Sequence, residues 1–234
     1  MTEAQLLDRV RDLREAGRSP KEIARSLGVA PSKVAPLVRQ LAEQRPASPV
    51  EPCGALIGCW VSPGWSRGLS IDGHSDWPGQ EEDGPERGGM VCVLVARLRR
   101  AGKVSVCGYL VDTYCLGVKN VLGPENLDDW ALSSFVREYF GAFDGDSVPA
   151  PLELAQHLVF GAVDYARSLG FGPHADFRAA TGHLGQWSGP SPITFGDQGK
   201  PLYVEGPWDD SARVMRTLTR SVGEGNFHFI AGLR

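Results

Sequence analysis

The chain has 234 residues, 42% of them hydrophobic and 22% charged, with a formal net charge of −4. That composition is globular, excludes a disordered or fibrous chain, and fits one to two domains. No window approaches the ~18 uninterrupted apolar residues of a spanning helix, and the charged N-terminus MTEAQLLDRVRDLREAGR lacks the apolar core of a secretory signal. These features predict a cytoplasmic protein with no membrane partner. Glycine (29) and proline (17) together make about a fifth of the chain, which predicts many turns. The five cysteines, Cys53, Cys59, Cys92, Cys107 and Cys115, form no CxxC pair and no zinc spacing, and their odd number fits reduced thiols. Neither a metal nor a cofactor is expected.

Charge is uneven. Residues 1–48 carry nine Lys/Arg against six acids, a surplus of +3, which leaves −7 for the remainder. A mildly basic head on an acidic body permits a nucleic-acid partner without demanding one.

In chain order, Thr2 caps a first predicted helix whose apolar positions Leu6, Leu7, Val10 and Leu13 recur at helical spacing until Gly17. Ser19-Pro20 with Glu22 starts a second, Pro20 to Leu27, which stops at Gly28. A third runs from about Ser32 to Gln44, with Val34, Leu37, Val38 and Leu41 on one face. Ser32, Pro36, Arg39, Gln40 and Glu43 lie opposite. A short helix, a turn with a buried valine and a second amphipathic helix make a helix-turn-helix unit.

The string SPKEIARSLGVAPSKVAPLVRQL, residues 19–41, resembles the bihelical units of bacterial regulators, resolvases and sigma factor region 4. That resemblance implies DNA contact through Ser32, Lys33, Arg39 and Gln40. Pro36 departs from the pattern, because it stands in the middle of the exposed face without an N–H. A small helical docking module for RNA or protein has the same pattern.

The domains are therefore a helix-turn-helix at 1–45, a proline-rich linker at 46–54 and an α+β body at 55–234. In the body, a strand at 56–62 is followed by a Gly/Pro/acid-rich stretch, 72–89, expected to be a long mobile loop. Met90 to Leu98 and Lys103 to Val111 flank RRAG as an antiparallel hairpin. Helices are expected at 125–140, 151–169 and 208–222. Strands at 193–195 and 202–204 bracket GDQGK as a second hairpin, and a last strand covers 226–230. Hairpins outnumber βαβ crossovers, which favours a mainly antiparallel sheet with packed helices. YLVDTYCLGVKN, GFGPHADF, FGDQGKPLYVEGPWDD and GNFHFI resemble a group of uncharacterised bacterial proteins that pair this body with a helix-turn-helix or other small modules. No activity follows from that resemblance.

Chemistry-bearing residues are few. Cys115 follows a strand with Asp112 as an expected helix N-cap, which would place its sulfur near a helix N-terminus and activate it. His174 and Asp176 in GPHADF would supply base and orienter. Against this, a cysteine in so apolar a run is commonly a buried small hydrophobe. His174 and Asp176 with Asp209 and Asp210 have mixed metal-ligand chemistry, although the acids equally suit helix first turns. His157 falls on the polar half of its helical wheel, where a solvated or hydrogen-bonded histidine is expected. Arg213, Arg216 and Arg220 share a ridge, with Asp209 spaced to pair with Arg213. No nucleotide-binding glycine loop is present. The leading expectation is a DNA-binding regulator, possible as a homodimer, whose body senses a ligand or contacts a partner. The alternatives are an enzyme using Cys115, His174 and Asp176, and an RNA- or ribosome-associated factor.

Overall fold

The computed structural model describes Leu6, Arg9, Val10, Leu13, residues 20–29, Val34, and residues 54–80, 88–143, 145–207 and 209–232. Two compact units divide the chain, Met1–Pro49 and Val50–Arg234.

In the first unit, helix α1 spans Pro20–Leu27. It ends where Gly28 takes φ +63°, a left-handed conformation that costs glycine little. The Val29 N–H then donates back to the Ala24 carbonyl at 3.0 Å. Val10, Ile23, Ala24 and Val34 form a small buried core, with Leu6, Leu13, Leu27 and Val29 packed on it. Leu6, Arg9, Val10, Leu13 and Val34 are helical. Ser32, Lys33, Arg39 and Gln40 lie outside the described residues.

The second unit is α+β. Its five-stranded antiparallel sheet has the order β5-β4-β3-β1-β6, from β1 (Leu56–Val61), β3 (Met90–Leu98), β4 (Lys103–Asp112), β5 (Gly117–Asp128) and β6 (Val148–Pro149). In β3, Val91, Val93 and Val95 face one core while Cys92, Leu94 and Ala96 face another. Covering both faces explains why MVCVLVARL is nearly all apolar instead of alternating. Helix α2 (Leu132–Tyr139) covers the second face through Val136, with Phe140 beyond it. The first face is covered by α3 (Leu152–Ser168) and α4 (Phe177–Leu184). Leu154, Ala155, Leu158, Val159, Ala162 and Val163 recur at helical spacing and make the buried stripe of α3.

Two small pairings complete the unit. β2 (Ser70–Ile71) pairs antiparallel with β7 (Ile193–Thr194), and β8 (Leu202–Val204) pairs parallel with β9 (His228–Ile230). Helix α5 (Ser211–Val222) connects β8 to β9 and buries Val214 and Leu218 beside Cys115, Leu169 and Tyr203.

Several expectations are corrected here. The segments 193–195 and 202–204 do not form a hairpin, since each pairs with a distant strand; between them only Asp197 and Lys200 bridge. Residues 125–128 continue β5, and the helix begins at Leu132 after a 3-10 turn, Asp129–Ala131. The described part of the 72–89 stretch is anchored, because Trp77 is buried in the main core and Gln80 Nε2 donates to the His74 carbonyl. Residues 81–87 lie outside the described residues. Asp112 caps no helix, as detailed below. No helix among the described residues is long and apolar enough to cross a membrane.

Candidate functional site

The strand β4 leaves the sheet at Asp112, and the chain turns through Thr113–Leu116 into β5. Asp112 makes that turn: its Oδ1 accepts from the N–H groups of Tyr114 (2.9 Å) and Cys115 (3.0 Å). A third backbone bond, from Leu116, also holds the carboxylate. An aspartate bonding two residues on is an Asx-turn, so the capping chemistry is as expected but acts on a hairpin turn, with no helix after it. Burial pushes the Asp112 carboxyl up to about 6, against the pull of those N–H groups and of Lys119.

Beside this turn lies a cleft of about 800 Å³, within the usual size for a small-molecule site. Met90, Leu110, Leu202, Val204 and Pro207 supply apolar wall, while Asp112, Tyr114, Lys119, Asn120, His174, Glu205 and Asp209 converge at its polar part. A smaller cavity of about 340 Å³ shares Lys119, His174 and Asp209 with it and reaches Arg213 and Thr217. Lys119 Nζ donates to Asp209 Oδ2 at 2.9 Å, with the two side chains 21% and 14% exposed. The same oxygen accepts from the Gly206 N–H (2.9 Å) and the Tyr203 hydroxyl (3.4 Å). Burial raises the Asp209 pKa, but these donors outweigh it and hold the carboxyl below its ordinary value. Ser211 donates to Glu205 Oε1, and the Gly232 N–H donates to Oε2 (3.1 Å), tying the C-terminal segment to the cleft wall.

Cys115 is fully buried in the α5 core. Burial pushes its thiol well up, the Asp112 carboxylate adds to that, and Lys119 offsets part of it. No hydrogen bond or ion pair joins it to His174 or Asp176. The latter two do meet: the Asp176 N–H donates to His174 Nδ1 at 3.3 Å, and the carboxylate lies 3.8 Å from the ring. Asp176 is 73% exposed and precedes α4, whereas His174 faces both cavities. The structure therefore places His174 at the site, Asp176 behind it and Cys115 in the core.

Asp209 departs from its expected pairing with Arg213, whereas Asp210 opens a helix as expected. Asp209 pairs with Lys119, and Asp210 takes the end of α5, its Oδ1 accepting from the Arg213 N–H at 3.0 Å. Among the described residues no group of three or more His, Cys, Asp or Glu could hold a metal ion. His157 takes the hydrogen-bonded form of its polar-face expectation, accepting from Trp187 Nε1, while Trp77, His74 and Trp187 leave it only 9% exposed.

Lys119, Asn120 and Glu205 were not picked out by motif. The sequence singles out Asp112, His174 and Asp209 of this site, each for another role, as a helix cap, a catalytic base and a metal ligand. Compared with protein-family models, curated proteins and solved structures, the chain finds no match.

Proposed function

We propose that the chain is a cytoplasmic DNA-binding regulator, whose N-terminal unit contacts DNA and whose body binds a small effector molecule. The observation that carries the reading is the turn of the first unit. Helix α1 ends at Gly28, Val29 folds back onto Ala24, and helical Val34 joins Val10 and Ile23 in one core. A helix closed at a glycine, a valine folded back on it and a further helical residue in the same core support a helix-turn-helix. The effector role rests on the cleft of the body, where an apolar wall meets a few convergent polar groups. The buried Cys115 removes the support that a thiol enzyme would need.

The test is selection of bound duplexes from a random-sequence pool by the full-length protein, followed by binding at several salt concentrations. The reading expects an enriched motif, a shallow fall of log K with log salt, and weaker binding by a Lys33→Ala, Arg39→Ala double variant. No enrichment over bulk DNA, or preferential recovery of RNA, overturns it.

A further inference from the structure

The cleft beside Asp112 is large enough to hold a ligand, and the charges around it narrow the ligand's chemistry. Its wall of Met90, Leu110, Leu202 and Val204 suits an apolar body, and Met90 and Val204 stay 41% and 45% exposed at the rim. The described cation of the cleft, Lys119, is already engaged at 2.9 Å by Asp209. Asp112 is different. It is 6% exposed, its hydrogen bonds come from neutral backbone N–H groups, and among the described residues no cation pairs with it directly. A carboxylate offers about four lone-pair positions, and three N–H groups leave one open.

We propose that this cleft binds a primary amine carried on an apolar body, with the ammonium group against Asp112 and the apolar part along Leu110, Leu202 and Val204. The inference rests on the effector-binding reading of the body and names the class of effector. A protonated amine gives Asp112 a directly bonded cation, which none of the described residues supplies; Lys119 acts on it only from a distance. A buried charge that gains a partner recovers part of its desolvation cost, and a hydrogen bond to a charged group is among the stronger kinds. An organic acid of the same shape would add a further negative charge beside the carboxylates of Asp112 and Asp209. A neutral alcohol would gain the apolar contact alone. The upward push of burial on Asp112 has the same origin, and an ammonium bound there pulls the carboxyl back down and displaces its proton.

Titration calorimetry on the full-length protein, without DNA, compares hexylamine, hexanoate and hexanol. Hexylamine is expected to bind tightest, and at pH 6 its heat is expected to vary with the ionisation enthalpy of the buffer, because Asp112 releases a proton. Asp112→Asn keeps an oxygen for the turn and removes the charge, and it is expected to weaken hexylamine by about ten- to a hundredfold. If the turn does not tolerate asparagine, Val204→Lys at the rim places a competing ammonium there and is expected to weaken hexylamine without disturbing the core. Hexanoate or hexanol binding as well as hexylamine, no binding by any of the three, or full hexylamine affinity in both variants overturns the proposal. Hexylamine binding by a protein that selects no DNA motif leaves this ligand class standing and overturns the regulator reading.

Discussion

The indole Nε1 of Trp187 donates to Nδ1 of His157 at 3.2 Å. That bond needs a lone pair on Nδ1, so it exists only while the imidazole is neutral. Burial and the neighbouring His74 both lower the His157 pKa, and Glu153 raises it only in part. On acidification the ring protonates and Trp187 loses its acceptor. The emission of Trp187, taken as the difference between wild type and Trp187→Phe, should shift with a midpoint below the ordinary 6.5 of histidine. A midpoint at or above that value would show that the bond does not hold the ring neutral.

His183 predicts how stability depends on pH. It is 1% exposed, its Nε2 meets the Ser105 hydroxyl at 3.0 Å, and burial with Arg97 and Arg99 nearby pushes it down to about 4. Between about 4 and 6.5 the unfolded chain therefore binds the proton that the folded chain refuses. The neutral ring's contribution is complete above 6.5 and is lost as pH falls through that window. Asp112 acts in the opposite sense, because its raised carboxyl is protonated in the fold and ionised in the unfolded chain between 3.8 and about 6. Urea melts across this range should show His183→Gln losing the stability that wild type gains on the way up, and Asp112→Asn steepening that gain. Parallel curves for wild type and both variants would contradict these assignments.

The buried thiols should be slow. Burial pushes Cys59 up to about 12 and Cys92 up to about 11, and Cys115 is raised further. Iodoacetamide at pH 7 should label Cys115 in the native protein more slowly than a free thiol, with no change in His174→Ala. Fast labelling that His174→Ala abolishes would restore the thiol-enzyme alternative.

Gly117 opens β5 with φ +68°, and a methyl group there would sit 2.9 Å from the Ala166 methyl and 3.0 Å from the Ala162 carbonyl oxygen. Both neighbours belong to α3, whose buried stripe cannot retreat. Gly117→Ala combines a left-handed backbone with overpacking, and it should cost roughly 2–4 kcal/mol. Denaturant unfolding with an unchanged m-value measures this. A loss below about 1 kcal/mol would mean that α3 packs less tightly on the sheet than described.

Much of the body was legible where a pattern is local. The Val- and Cys-rich runs flanking RRAG read correctly as the β3–β4 hairpin, and the helical period of 151–169 read as α3. The misreadings have separate physical causes, and the first is a partner far away in sequence. A strand as short as Leu202–Val204 carries no mark of whether it meets its neighbour or His228–Ile230 across a whole helix. The edge strand β5 is partly exposed and irregular in register, so 125–128 lacked the alternation that would have separated it from the following helix. The helical wheel put His157 on the polar side correctly, but it could not tell water from the Trp187 indole that bonds it there. At the candidate site, Asp112 was chosen as a cap and Cys115 as the reactive group. Burial, which a motif cannot report, makes the carboxylate the group of interest and the thiol inert.

The pairing pattern also sets an order of assembly. β3, β4 and β5 are consecutive and close over short turns, so their ladders form at little cost in chain entropy. The partners of β2 and β8 arrive only after long stretches of chain, Ser70 with Thr194 and Leu202 with His228 across α5. Contacts of such separation are entropically late, and the elements that make them open at lower free energy than a central sheet. Leu202 and Val204 belong to this late group and also wall the cleft. The β8 side of the cleft is thus completed after the central sheet and loosens before it. Backbone amides of β8 and β9 should exchange with deuterated solvent well before those of β3 and β4, so the binding surface can breathe while the sheet beneath it stays closed.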